Sequence, residues 1–270
     1  MRSDISTPST ASLSDVARGS HQAICDDHGP FEQRITVILD REFRTGCPEC
    51  TSIRRAQEEA EQAETAARDR RLAMARKLGG ALIPKRFADR SLSEYRATNP
   101  GQKEALRVCR KYSEQFVSIS ETGRCLLLLG KPGTGKTHLA VGIANEIMRT
   151  TTGTAIYRTF GAVLQAIRAT YDKTSTQSEA DIIASLVEPS LLILDEIGVT
   201  KQQPSDFELT TMFSVINGRY EQLRPTVIIS NLEAHELPIA IGDRCMDRLR
   251  EGGGIAVKFD WESQRGKEGF

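Results

Sequence analysis

Residues 130–137 read GKPGTGKT, directly behind the apolar run Cys125 to Leu129 and directly before a helix-like stretch from His138 to Met148. This is the pattern of a phosphate-binding loop. Its glycines let backbone N–H groups turn inward around a phosphate chain, Lys136 reaches the β- and γ-phosphates, and the Thr137 hydroxyl ligates magnesium. A helix starting here adds the positive end of its dipole. The expected nucleotide-binding residues are therefore Gly130, Pro132, Gly133, Thr134, Gly135, Lys136, Thr137 and His138. A second apolar run, Leu191 to Leu194, ends in Asp195 and Glu196. Asp195 is suited to hold magnesium, usually through water, and Glu196 to polarise an attacking water as general base. Mere nucleotide binding has no need of Glu196, so the pair favours hydrolysis of ATP. The run Thr226 to Ser230 ends in Asn231, an amide placed either to orient the lytic water or to make an Asx-type turn. Farther on, Arg244 and Arg248 are four residues apart and share a helical face. They read as guanidinium groups offered to a neighbouring subunit's γ-phosphate, or as a solvated basic face paired with Asp243, Asp247 and Glu251.

A separate constellation lies near the start of the chain. Cys25 and His28 form one pair and Cys47 and Cys50 another, each with two intervening residues. This is structural-zinc spacing: each pair bites one tetrahedral ion from a tight turn, and two pairs leave no open position for water. Gly29 and Gly46 stand beside the pairs to allow the chain reversals. The alternative is that one pair is coincidental and its thiols are free. A segment this short has too little core to fold without a staple, which favours the metal. His28 is preferred to His21 on spacing, and Cys109, Cys125 and Cys245 fall in helix or strand patterns as core residues.

These groups need a framework to hold them. Strand-like runs at Cys125–Leu129, 154–159, Leu191–Leu194, Thr226–Ser230 and Ile255–Phe259 alternate with helix-like segments, implying a parallel sheet covered on both faces. Ligands of such sheets sit at the carboxyl ends of the strands, where the phosphate loop falls. A helix is expected over 102–120. Residues 53–80 form a charged helix rich in Ala, Glu, Gln and Arg, either a solvated arm or a docking surface, and Gly79, Gly80 and Pro84 end it. The expected divisions are a disordered tail at 1–22, a zinc-binding module at 23–52, the helical arm at 53–80 and an ATPase domain at 81–270. Lys+Arg and Asp+Glu number 36 each, so net charge gives no argument for nucleic acid and any DNA contact must be a local patch. The chain has no apolar run of membrane-spanning length and no signal-peptide core, so a cytoplasmic location is expected.

Taken together, GKPGTGKTHLA, LLILDEIG, the IISN strand end, GDRCMDRLREGG and KFDWESQRGK resemble the DnaC-type replicative helicase loaders of the AAA+ ATPases, over residues 83–267. IstB-like transposition helpers share the first two motifs. The resemblance implies an α/β fold, a AAA+ P-loop three-layer sandwich with sheet order 5-1-4-3-2 and no helical lid domain, preceded by the zinc module and its linking helix. It implies ATP and Mg2+ as cofactors, to which the two Cys/His pairs add Zn2+ by their spacing, and assembly beside neighbouring subunits. By motif, Lys136 and Thr137 belong to the phosphate loop, Asp195 and Glu196 to the acidic pair, and Asn231 is the first sensor. Arg248 is the trans-acting finger, with Arg244 as competitor, and Arg265 the second sensor. The helix after Phe160 resembles one that touches single-stranded DNA or a neighbour, with Arg168, Tyr171 and Lys173 as contacts, although a plain surface face explains them too. The implied function is ATP-dependent loading of a hexameric DnaB-type helicase, gripped by the N-terminal region, onto single-stranded DNA. The alternatives are an IstB-like helper ATPase that binds duplex DNA and a nucleotide-gated adaptor in which hydrolysis is irrelevant.

Overall fold

The computed structural model describes residues 17–38, 41–198 and 203–264, which fall into two compact units dividing between Arg71 and Leu72. In the first unit β1 (Ala17–Cys25), β2 (Gly29–Ile38) and β3 (Arg41–Arg44) form an antiparallel sheet in that order. β1 starts inside the stretch 1–22 expected as a disordered tail. Its pairing runs unbroken from Cys25 opposite Gly29 to Ala17 opposite Val37. The unpaired edge of β2 thus recruits a polar segment whose composition carries no strand signal, because ladder bonds satisfy backbone groups whatever the side chains. Residues 1–16 of the expected tail lie outside the described residues. The long helix α1 (Pro48–Gly80) begins five residues ahead of position 53. Proline is pre-set for the first helical position, and the Cys47 carbonyl accepts the first helical hydrogen bond, from Thr51 N–H at 2.9 Å.

The second unit is built on a parallel sheet of β4 (Leu126–Gly130), β5 (Ala155–Thr159), β6 (Leu191–Ile197), β7 (Thr226–Ser230) and β8 (Ile255–Phe259). Its order, β5-β6-β7-β4-β8, is the expected 5-1-4-3-2 read from the opposite edge. β4 is buried throughout, and its alternate residues serve opposite faces. Leu126 and Leu128 pack with α2 (Pro100–Glu114) and α4 (Lys136–Thr150) through Cys109, Tyr112, Leu139 and Ile143. Leu127 and Leu129 join the other layer, which draws on α5 (Phe160–Ala169), α6 (Glu179–Val187), α7 (Asp206–Glu221), α8 (Leu237–Ile241) and α9 (Asp243–Glu251). Cys109, Cys125 and Cys245 are buried, as expected of core residues.

The helix expected over 102–120 is in fact two, α2 and α3 (Phe116–Thr122), parted at Gln115 with φ −96° and ψ 15°. The break lets Phe116 and Ile119 point into the core. α2 opens on Asn99, which with Gln102 makes a capping box, and Pro100 follows at the first position. The last turn of α1 is fastened to the end of α4 by Lys77 Nζ, which donates to Thr151 O at 2.9 Å. Ala81 then accepts a hydrogen bond from Tyr157 N–H on β5 at 2.8 Å. Among the described residues no helix is long and apolar enough to cross a membrane.

Arg219 on α7 is 1% exposed and acts as an internal staple. Its guanidinium donates to the carbonyls of Leu186, Val187, Pro189 and Pro225, and to Thr226 Oγ1, at 2.6–3.1 Å. These acceptors close the end of α6 and the turn into β7. Arg219→Met keeps much of the volume but strands them without a donor, so it is expected to destabilise the chain by about 3 kcal/mol. Urea unfolding checks this, and an unchanged midpoint would contradict the staple.

Candidate functional site

The carboxyl ends of β4, β6 and β7 bring together residues far apart in sequence. Parallel pairing sets Leu129 beside Ser230 and Leu194 beside Ile228, so the strands finish level and Gly130, Asp195 and Asn231 emerge at one edge. Gly130 has φ +124°, and a Cβ there would fall 2.3 Å from Phe259 O, so only glycine fits where β4 passes into the loop. Lys136 opens α4 and points its ammonium back into the loop. Its Nζ donates to Gly130 O at 2.6 Å, Lys131 O at 2.7 Å and Asn231 Oδ1 at 2.9 Å. Thr137 Oγ1 donates to Asp195 Oδ2 at 3.0 Å, joining the two principal motifs.

At Asp195 the sheet departs from regular pairing. β6 shifts register against β7 between Leu194 and Ile197, and Glu196 takes φ +61°. A left-handed glutamate inside a strand is strained, and the irregularity rotates successive carboxylates apart. Asp195 stays buried, with Oδ1 accepting from Glu196 N–H at 2.7 Å, while the Glu196 side chain is exposed. Ser230 Oγ donates to Ile197 O at 2.6 Å and ties the irregular segment to β7. The hard oxygen donors Thr137 and Asp195, side by side beneath a phosphate loop, suit magnesium. The residues present therefore fit Mg-ATP.

Three aromatic residues complete this site; motif reading reaches Trp261, as the start of the tail that closes the ATP site, but not the other two. Thr134 O accepts from Tyr95 OH at 3.2 Å and from Trp261 Nε1 at 3.1 Å, while Gly133 O accepts from Gln264 N–H at 2.8 Å. Carbonyls of the loop are thus occupied by protein donors, which help to hold its shape. Tyr95 also meets the His138 ring edge-on at 5.4 Å. Tyr157 OH donates to Asp195 Oδ2 at 2.8 Å. Burial, reinforced by the Asp195 charge, raises the Tyr157 phenol far above its ordinary range, so it remains a donor. Trp261 stands in a quoted motif, but nothing local marks Tyr95 or Tyr157.

The arginines stand apart from this group. Arg248 on α9 lies 4.5 Å over the Tyr220 ring and donates to Asn217 Oδ1 at 3.2 Å, while the Arg244 guanidinium is 5.8 Å from the Phe213 ring centre. The two share a face, as expected, and that face meets α7. Arg265 lies outside the described residues. Arg168 is placed over Phe207 at 5.3 Å, and Tyr171 is exposed with its OH 3.2 Å from Glu179 Oε2.

In the first unit Cys25, His28, Cys47 and Cys50 converge, with all four ligand atoms within 4.8 Å of one another. The first pair spans the β1–β2 hairpin, where Gly29 has φ +80°. The second is not a loop turn: Cys47 precedes the first helical residue of α1 and Cys50 lies on the helix's first turn, three residues apart and so on one face. Cys25 Sγ is 3.5 Å from Cys50 Sγ and 3.7 Å from His28 Nδ1, and His28 Nδ1 is 3.2 Å from Cys50 Sγ and 3.8 Å from Cys47 Sγ. Tetrahedral zinc with ordinary bond lengths has edges of roughly 3.5–3.8 Å. Glu49 Oε2, 3.6 Å from His28 Nε2, backs the remote ring nitrogen. His28 beside it draws the Cys25 thiol down to about 7, and Cys25 in turn pushes Cys50 up to about 12. Donors so crowded compete for protons, and the set fits a thiophilic cation.

The model of the IstB-like ATP binding protein family matches residues 49–250. The chain is 34% identical over 177 residues to the replicative helicase loader DnaC of Escherichia coli (strain K12), covering 66% of this chain and 69% of that protein. It is 30% identical over 192 residues to the replicative helicase loader DnaC of Buchnera aphidicola subsp. Schizaphis graminum, covering 71% and 76%. A crystal structure of the DnaC helicase loader shares the fold, with TM-score 0.58 and 22% identity over 66% of this chain and all of that one.

One zinc per chain is the expected stoichiometry by elemental analysis, falling to none when Cys47 and Cys50 are both replaced by serine. A purified chain that is metal-free yet keeps its β1–β2 hairpin would contradict the assignment.

Proposed function

The chain belongs to the IstB-like ATP-binding family, within its DnaC-type AAA+ loader branch, and on that premise we propose that it is a magnesium-dependent ATPase that loads a replicative helicase of the DnaB type onto single-stranded DNA. The observation that carries the enzymatic half is the Thr137–Asp195 hydrogen bond, which puts the two halves of a phosphate-transfer site in contact. Lys136, already bridging the loop and Asn231, is placed to exchange those acceptors for phosphate oxygens. Thr137 and Asp195 would hold magnesium, which offsets phosphate charge when bound. Glu196, exposed beside Asp195, would take the proton of the attacking water, and Asn231 would orient that water. Arg248 or Arg244 would serve a neighbouring subunit's nucleotide, and Arg265 its own.

The partner half rests on kinship with proteins named replicative helicase loaders and on a separate N-terminal unit stapled at one end of a long helix with no buried residue. A zinc-held unit leading into such a helix suits the grip on a hexameric helicase, with the AAA+ domains assembled side by side and meeting DNA. The transposition-helper alternative draws on the description of the family model alone, whereas the named relatives at 30–34% identity are loaders.

Two measurements test the reading. Glu196→Gln is expected to lower the rate of ATP hydrolysis by about a hundredfold or more while leaving ATP binding intact; unreduced hydrolysis would remove Glu196 from the role of base. The full-length chain should co-purify with the DnaB-type helicase of the same replicon, and the double serine variant at Cys47 and Cys50 should not. Failure of the unmodified chain to bind would refute the loader reading.

A further inference from the structure

We infer that Tyr157 is a positioning residue that holds the Asp195 carboxylate ready for a divalent cation, an inference that rests on the ATPase reading above. Tyr157 pairs with Ile193 across the parallel β5–β6 ladder. Asp195 is two residues beyond Ile193 and so on the same face, where an aromatic side chain can span the diagonal. The Tyr157 hydroxyl does so, reaching Asp195 Oδ2 at 2.8 Å, and both residues are buried, at 7% and 6% exposure.

The contact matters because of what else Asp195 Oδ2 holds. Its second donor is Thr137 Oγ1, at 3.0 Å. A threonine oxygen that ligates a cation does so through a lone pair and keeps its proton, so this donor can stay on Asp195. While Oδ1 is held by the Glu196 amide, Oδ2 thus has two side-chain donors, of which Tyr157 stands outside the set that would hold the cation. A buried carboxylate that lost this donor would be both less solvated and freer to rotate, and each loss works against a cation that demands fixed octahedral geometry.

Tyr157 is itself anchored. It lies on β5, an edge strand of the sheet, whose outer side is exposed to slippage unless something pairs with it. Its own amide donates to Ala81 O at 2.8 Å, one residue past the end of α1, and Lys77 of that helix is bonded to Thr151 O. The phenol is therefore fixed at its main chain by the close of the long helix and at its ring by the core that includes Ala155, Leu191 and Ile193.

The test compares the full-length wild type with Tyr157→Phe and Asp195→Asn, measuring Mn2+ affinity by electron paramagnetic resonance in the presence of a non-hydrolysable ATP analogue. Affinity for the analogue itself is measured in EDTA. Tyr157→Phe removes one oxygen and keeps the ring, so the fold and metal-free nucleotide affinity should be unchanged. Mn2+ affinity should fall about tenfold or more, the lower end of what one hydrogen bond to a charged group contributes. Unchanged or tighter Mn2+ binding in Tyr157→Phe, with Asp195→Asn impaired, would overturn the positioning role alone. Unchanged binding in both variants would overturn the role together with the ATP-site reading on which it rests.

Discussion

Every part of the nucleotide site depends on the parallel register of β7 between β4 and β6. Because Ser230 sits beside Leu129 on one side and Ile197 on the other, three strands end at one level, and their carboxyl ends deliver Gly130, Asp195 and Asn231 to a single place. No local preference makes this happen. It follows from burying both faces of the sheet under helices, whose side chains interlock with particular strand residues on each face, so that a slip of one residue would misfit the close-packed core on both sides. The strain at Glu196 is the cost of presenting two adjacent carboxylates for different purposes, one inward and one outward, from a strand that would otherwise alternate them rigidly.

The phosphate loop takes much of its shape from the protein's own donors. Its outward carbonyls are taken by Tyr95, Trp261 and Gln264, its entry glycine is pinned against Phe259, and Lys136 gathers the inner carbonyls. These donors come from segments before β4 and after β8, so the loop is locked by both flanks of the domain. Preorganisation of this kind spares the ligand the ordering entropy of the loop. The first unit is built on a similar economy, where the sheet and the start of α1 supply three thiols and an imidazole and little else that could hold so small a fold together.

Much of this was legible in the sequence, for a physical reason. Phosphate and metal chemistry requires particular residues at fixed short spacing, so GKPGTGKT, Asp195-Glu196 and the two Cys/His pairs declare themselves without tertiary knowledge. Buried parallel strands are equally plain as uninterrupted apolar runs, while the sheet order follows only from the family resemblance. What could not be read depends on contact across the fold. Tyr157 and Tyr95 act on residues 38 and 39 positions away, and a lone tyrosine carries no mark of its partner. Residues 17–22 become a strand only because β2 offers an open edge, and the division at Gln115 answers to core packing rather than propensity.

The central claim, that this phosphate loop drives helicase transfer to DNA, is most directly tested on covalently closed, protein-coated single-stranded circles. Transfer of the DnaB-type hexamer is measured by unwinding of an annealed oligonucleotide in the presence of ATP. Unwinding should require the full-length chain and be abolished when Lys136 is replaced by alanine. Equal unwinding with Lys136→Ala, or without the chain at all, would contradict the account.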